Sequence, residues 1–235
     1  MAVSLQGPLP RYRQISELLI RDIAAGRLMD GERLPPERDM AAELGIAVGT
    51  LRHALADLAA KGLLRRVQGS GNYVCAKSDP DSVYAFFRLE LPEGGGLPTA
   101  RVLDVARLPK PAALPDFGSA PEAFRIRRLR FLSGRPAALE EIWLDGSYVS
   151  HLEPAMLSES LYLFYRRKLG LWIVRAEDRI DVDGVPGWTP PVFGLPAGTL
   201  APRVTRSAWD GENRSAEVSF TWFDPAHARY VARLK

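Results

Sequence analysis

The chain holds a single cysteine, Cys75, so it can form no intramolecular disulfide and none of the common cysteine-rich zinc sites. Its setting suits a small apolar residue ending a strand. Histidine is nearly as scarce: His53, His151 and His227 are scattered, with no pair at metal-ligand spacing. Neither a metal nor a cofactor is implied. The opening stretch, MAVSLQGPLPRYRQ, has no apolar h-region, so no signal peptide is read there. No apolar run is long enough to span a bilayer. A cytoplasmic protein with no membrane partner is expected. A glycine-rich phosphate loop and a nucleophile elbow are also missing, and without a catalytic signature the chain is not read as an enzyme. There is no internal repeat and no low-complexity tract.

What is present supports two domains. The chain has 235 residues, 46% of them hydrophobic, which is enough for packed cores. The formal net charge is only +3. Charge matters for nucleic acid when it is clustered, and it clusters twice: at Lys61, Arg65 and Arg66, and at Arg125, Arg127, Arg128 and Arg130. The reading divides the chain into a first domain over 1–76, a linker and mobile loop over 77–98, and a second domain over 99–235.

The first segment reads as three helices and a hairpin. Tyr12, Ile15, Leu19 and Ile23 recur at helical spacing, and Gly26 is the expected left-handed stop. Pro35 and Pro36 are expected to start a second helix, which carries Met40, Ala41 and Leu44 inward and stops at Gly45. The third helix puts Leu51, Ala54, Leu55 and Leu58 on one face and stops at Gly62. Gly49, Arg52 and His53 then point outward. Two short strands, Leu63–Gln68 and Asn72–Cys75, flank the turn Gly69-Ser70-Gly71.

Two short helices with a tight turn and a basic hairpin fit a duplex groove. Arg52 is placed to bond guanine or a phosphate, and Arg38, in the first turn of the second helix, to clamp the backbone. Lys61, Arg65 and Arg66 add salt-sensitive attraction. The glycines at the tip permit close approach to the sugar-phosphate backbone. Periodicity alone fits equally any small helical module with surface arginines.

Beyond the linker, marked by Ser78, Asp79 and Pro80, Val83–Leu91 is apolar enough for a strand and Glu93-Gly94-Gly95-Gly96 for a mobile loop. Strand pairs are expected around Ser133-Gly134-Arg135-Pro136 and Asp210-Gly211-Glu212-Asn213. Leu161, Phe164, Tyr165 and Leu169 make a helix face ended by Gly170, and Trp172–Val182 reads as a long strand. The second domain is therefore α+β, with a mainly antiparallel sheet. Arg128 and Arg130 lie two apart on a strand and share a face, which suits a carboxylate or phosphate. Glu217, Ser215 and Ser219 share a polar face, and Ser160 stands at a helix start. Each fits a solvated surface as well as a pocket.

The stretch from Pro10 to Val74 resembles the GntR family of bacterial repressors. The residues that carry this are Tyr12-Arg13-Gln14-Ile15, Leu34-Pro35-Pro36-Glu37-Arg38, Ala41-Ala42-Glu43-Leu44-Gly45, Gly49-Thr50-Leu51-Arg52-His53-Ala54-Leu55 and Gln68-Gly69-Ser70-Gly71-Asn72-Tyr73-Val74. The resemblance implies a winged helix-turn-helix with Arg38, Thr50 and Arg52 as DNA contacts and Gln68, Gly69 and Ser70 in the wing tip. The family usually brings Ser-Arg or a similar pair into the recognition helix, where this chain has Ala47 and Val48. That departure implies altered or weaker operator binding, and at the extreme a regulator that no longer binds DNA.

Gly118 to Lys235 is similar to the UTRA effector domain of the HutC subfamily, on looser motifs. These are Phe124 to Arg130, Arg135 to Glu141, Ser160-Leu161-Tyr162, Arg175-Ala176-Glu177-Asp178, Leu195-Pro196-Ala197-Gly198 and Glu217 to Phe223. The resemblance implies a chorismate-lyase-like fold, usually dimeric, that binds a small molecule without transforming it. By position Arg128 and Arg130 would hold an anionic group, helped by Ser160 and Tyr162, with Glu140, Glu177 and Glu217 along the polar wall. Phe223 stands where many relatives have Tyr. The tryptophans Trp143, Trp172, Trp188, Trp209 and Trp222 would either favour an apolar effector or fill the core. The whole reads as a ligand-responsive repressor, a homodimer on a palindromic duplex operator. A lyase-like enzyme using Glu140 or Glu217 is the alternative.

Overall fold

The computed structural model describes residues 10–24, 27–75, 86–157 and 160–232. They fall into two compact units, within Leu9–Phe87 and within Arg88–Val231. No helix among the described residues is long and apolar enough to cross a membrane.

The first unit is a helical triad with a wing. Helix α1 (Arg11–Ala24) buries Ile15, Leu19 and Ile23, spaced by four. Its expected stop at Gly26 lies outside the described residues. Helix α2 (Glu37–Glu43) starts one residue later than the sequence suggests. Pro36 is its N-cap, with extended backbone at ψ 139°, so both prolines precede the helix. Leu44 closes it and Gly45 turns away at φ +60°. Helix α3 (Val48–Ala60) buries Leu51, Ala54, Leu55 and Leu58. Strands β1 (Leu64–Val67) and β2 (Gly71–Val74) pair antiparallel, from Leu64 opposite Val74 to Val67 opposite Gly71. A bridge from Arg33 to Tyr73 lays the segment before α2 along β2.

The second unit is built on one antiparallel sheet of six strands: β4 (Pro98–Pro109), β5 (Glu122–Leu132), β6 (Arg135–Asp145), β7 (Ile173–Gly184), β8 (Leu200–Asp210) and β9 (Ser215–Phe223). Their spatial order is β4-β5-β6-β9-β8-β7. The β5–β6 hairpin turns on Ser133 and Gly134, both at positive φ (48° and 81°), the geometry that matches strand twist. Two-residue strands β3 (Leu89–Glu90) and β10 (Arg229–Tyr230) pair separately.

Two expectations change here. Of the strand read over Val83–Leu91, only Leu89–Glu90 is a strand; Phe86–Arg88 is not, and 83–85 lie outside the described residues. The helix read up to Leu169 is α-helical only in α4 (Leu161–Phe164). It widens to a π-helical turn over Tyr165–Leu169, and Gly170 ends it at φ +65°. Such turns concentrate at functional sites. In the expected mobile loop, Leu91 N–H donates to the Gly95 carbonyl and Gly94 N–H to that of Leu91.

Side chains alternate across the sheet, and each face mixes apolar with charged residues: Leu129 and Leu139 share the first with Arg127 and Glu141, and Ile126 and Ile142 share the second with Arg128 and Glu140. Leu129, Leu139, Val185, Phe193 and Ala201 form one core on the first face, with Trp188 packed against it. Phe117, Ala123, Trp143 and Val218 form another. Trp222 lies opposite Leu139 and shares that face. Trp143, Trp188 and Trp222 thus pack on the face away from Arg128 and Arg130, and Trp172 is exposed.

Candidate DNA-binding surface and effector site

On the winged unit, α3 presents an outer face once its leucines are turned inward. Gly49, Arg52 and His53 are exposed on it, and Thr50 is half-buried. Arg38, in the first turn of α2, is exposed, as are Gln68 and Gly69 at the wing tip. Gly69 sits at φ +74°, and the Ser70 hydroxyl bonds the Tyr73 hydroxyl at 2.7 Å. These residues therefore gather on the outer face of α3, the start of α2 and the tip of the wing. His53 is less free than expected: its ring stacks on Tyr12, centroids 3.8 Å apart and planes within 7°.

One residue organises this surface that sequence reading missed. The Glu37 carboxylate accepts from Arg52 Nε at 2.6 Å and lies 3.5 Å from Arg66 Nη2. One anion thus tethers α3 to the wing. The Arg52 hydrogen bond holds the Glu37 carboxyl below its ordinary value. Lys61 is engaged by Asp57 at 2.7 Å and Glu17 at 3.5 Å.

Ala47 is the N-cap of α3 and makes no side-chain cap bond. Ala47→Ser therefore supplies a missing acceptor to the first turn. It is expected to stabilise the fold by about 1 kcal/mol, read as a higher urea midpoint of the full chain at unchanged slope. A midpoint equal to the parent's would show that the first-turn N–H groups are already satisfied.

In the second unit, the sheet face opposite to that of Leu129 and Leu139 carries a buried ionisable cluster. Cross-strand register sets Arg128 opposite Glu140, Glu140 opposite Thr221, and Arg206 opposite Ser219. Arg128 and Arg130 are 4% and 3% exposed. Arg128 Nη2 lies 2.6 Å from Glu140 Oε2, and Arg130 Nε 3.5 Å from Oε1. Burial pushes the Glu140 carboxyl up, but the two guanidiniums outweigh it and leave it below its ordinary value.

Helix α4 covers Glu217. Ser160 caps the helix by accepting the Leu163 N–H at 3.4 Å. Residues three apart share a helix face, so Tyr162 and Tyr165 both donate to Glu217, at 3.1 and 2.7 Å. Burial pushes the Glu217 carboxyl up, against these hydroxyls and the nearby Arg206 and Arg128. Both tyrosines are driven well above their ordinary value, by burial first and then by Glu217.

Six of the seven residues proposed for the effector site come together: Arg128, Arg130, Glu140, Ser160, Tyr162 and Glu217. Glu177 does not. It is exposed, pairs with Arg179 at 2.8 Å, and points to the opposite face from its neighbour Asp178. Asp178 takes its place, bound by Arg206 Nε and Nη2, both at 2.6 Å, and by the Tyr230 hydroxyl at 2.6 Å. The alternation in β7 held the signal: Glu177, Arg179 and Asp181 are a solvent face, so Asp178 is the inward charge. The cluster of Arg125, Arg127, Arg128 and Arg130 is likewise no basic patch. Alternation sends the first two to the other face, onto Asp104 at 2.6 Å and Glu141 at 2.8 Å.

Residues 11–74 match the model of the bacterial regulatory proteins of the gntR family, and residues 93–229 match the UTRA domain. The chain belongs to the GntR family of bacterial regulatory proteins. It is 65% identical over 229 residues to the HTH-type transcriptional regulator SmoD of Agrobacterium fabrum, covering 97% of this chain and 98% of that protein. It is 26% identical to the HTH-type transcriptional repressor NagR of Bacillus subtilis, covering 89% and 88%. The mannosyl-D-glycerate transport/metabolism system repressor MngR of Escherichia coli is 28% identical, covering 74% and 75%. The fold matches the ligand-binding domain of a GntR-family regulator from Bordetella bronchiseptica, with a TM-score of 0.55 at 24% identity over 64% of this chain and 98% of that one. This GntR-family chain therefore joins a helix-turn-helix to a UTRA domain of α+β architecture, as its residue pattern implied.

Proposed function

We propose that this GntR-family regulator is a HutC-type, effector-responsive repressor working in the cytoplasm. Residues 1–76 bind a palindromic duplex operator and residues 99–235 bind a small anionic metabolite. As a homodimer it sets two α3 helices about one helical turn apart. The observation that carries this is the burial of Arg128 and Arg130 beside Glu140 on a sheet face that also holds Glu217. Buried ion pairs add little net stability, because desolvation offsets their attraction. A cluster of this kind is better accounted for by recognition than by folding. The names of NagR and MngR, both repressors, support the sign of regulation.

Chain order supports coupling between the functions. Strand β3 is the first described strand after the winged unit and pairs with β10, whose Tyr230 hydroxyl donates to Asp178. A ligand that shifts the cluster can thereby bias the segment leading to the DNA-binding unit.

The test is thermal unfolding of the full chain with millimolar inorganic phosphate, glycerol 3-phosphate, glucose 6-phosphate and gluconate. Binding to the native state raises the midpoint, and the shift is expected to vanish in Arg128→Ala. No shift with any anion would contradict the proposed site. On the DNA side, Arg52→Ala is expected to weaken binding to a duplex selected from a random pool by about 10–100-fold, a loss of about 1–3 kcal/mol. Lys61→Ala and Arg65→Ala are expected instead to flatten the salt dependence. Equal affinity of Arg52→Ala and parent would remove α3 from the interface.

A further inference from the structure

The effector cluster contains a guanidinium that neither the residue pattern nor the family likeness assigns. Arg206 lies on β8, between Ser219 of β9 and Asp178 of β7. Its Nε and Nη2 grip the two Asp178 oxygens, and it also donates to the Tyr162 hydroxyl. A guanidinium has five N–H donors, and these contacts use three of them. The Arg206 side chain also keeps 17% of its surface, against 5% and 3% for Arg128 and Arg130.

Its position complements theirs. Strands β6 and β9 separate β5 from β8, so Arg128 and Arg206 rise from backbones about 14 Å apart across the sheet. Both nevertheless act on the Glu217 carboxyl, so their side chains approach it from opposite sides. The two ends differ in chemistry. Asp178 balances the Arg206 charge at 2.6 Å, and a second anion placed there would meet that carboxylate. The remaining N–H groups of Arg206 suit a neutral oxygen instead. Tyr230, bonded to the same Asp178, keeps the pair from swinging away.

We propose that Arg206, oriented by Asp178 and Tyr230, is a specificity-determining residue that donates to an uncharged hydroxyl of the effector while Arg128 and Arg130 hold its anionic group. This rests on reading the cluster as the effector site. The site then selects a small hydroxylated anion over one of equal charge without hydroxyls, because a ligand carbon set against Arg206 would strip water from its remaining N–H groups without bonding them.

Calorimetric titration of the full chain with matched probes tests this: glycerol 3-phosphate against propyl phosphate, glucose 6-phosphate against hexyl phosphate, and inorganic phosphate alone. The parent is expected to favour the hydroxylated member of at least one pair by about tenfold or more. Arg206→Lys is expected to bring that ratio close to one while leaving the affinity for inorganic phosphate nearly unchanged. Tyr230→Phe, the milder change, is expected to lower the ratio part of the way. An unaltered ratio in both folded variants would overturn the proposal. So would a parent with no preference, or an equal loss of inorganic phosphate binding in Arg206→Lys. Phosphate binding that is absent, or indifferent to Arg128→Ala, would overturn the effector site itself.

Discussion

Arg128→Ala is expected to lower effector affinity by about 100-fold or more, because charge-assisted hydrogen bonds to an anion contribute about 1.5–3 kcal/mol each and Arg128 offers them in pairs. The effect has two components that must be separated. Arg128 binds Glu140 at 2.6 Å, and Glu140 is itself buried. Truncating one member of such a pair leaves a stranded carboxylate and costs about 3–5 kcal/mol of stability. The single variant will therefore melt early as well as bind poorly. Adding Glu140→Gln removes the stranded charge. The double variant is expected to recover most of the lost stability and none of the lost binding. A thermal melt with and without glucose 6-phosphate reads both quantities. If the double variant binds the anion as the parent does, Arg128 is only a structural partner of Glu140. DNA affinity without ligand is expected to stay near the parent's, since α3 and the wing belong to a different compact unit.

Gly118→Ala is expected to cost about 3–5 kcal/mol, the range for breaking a buried charge pair. Gly118 lies at φ +61°, and a Cβ there would stand 2.6 Å from Asp145 Cβ and overlap the carboxylate. Asp145 cannot retreat. It is fully buried at the end of β6 and accepts from Lys110 Nζ at 2.6 Å, from the N–H groups of Ala120 and Ser147 at 3.1 Å, and from the Ser147 hydroxyl. Lys110 in turn donates to the Phe117 carbonyl and lies over its ring. This knot fixes the connection from β4 to β5, hence the position of the strand that carries Arg128 and Arg130.

The same knot predicts an acid response. Burial pulls the Asp145 carboxyl up, but Lys110, Ser147 and Ala120 outweigh it and leave it below its ordinary value. A depressed carboxyl contributes stability that is complete above its unfolded pKa of about 4 and is lost as pH falls through the folded value. The gap in melting temperature between the parent and Asp145→Asn is therefore expected to be constant near neutrality and to close below pH about 4. A gap that persists into acid would show that Asp145 acts through shape rather than charge.

How much of this can be read from residues alone depends on the element. The winged unit is legible almost throughout, because its helices announce themselves by period, and α2 and α3 also by a glycine at positive φ, Gly45 and Gly62. The β5–β6 and β8–β9 hairpins are legible for the same reason, their turns carrying Ser133-Gly134 and the positive-φ Asn213. Arg128, Arg130 and Glu217 follow from strand alternation. Arg206 does not. It stands three residues from Arg203, and without the register of β8 nothing marks which arginine faces inward; Arg203 pairs with Asp181 and Asp183 on the other side. Glu177 and Asp178 are adjacent acids told apart only by the alternation of β7, which sets Glu177 with Arg179 and Asp181 and leaves Asp178 among apolar neighbours. The π-helical turn that follows Phe164, from Tyr165 onward, is invisible to a period-3.6 reading because its residues still space as a helix.

The central claim is that one chain links a DNA site to a small-molecule site. It is tested most directly by fluorescence anisotropy of the selected duplex, titrated with and without the anion that gives the largest thermal shift. Linkage predicts a change in DNA affinity of about 5–150-fold, matched by the same factor in anion affinity when the duplex is present. The change should disappear in the Arg128→Ala, Glu140→Gln double variant. Equal DNA affinity with and without a bound anion would contradict the account.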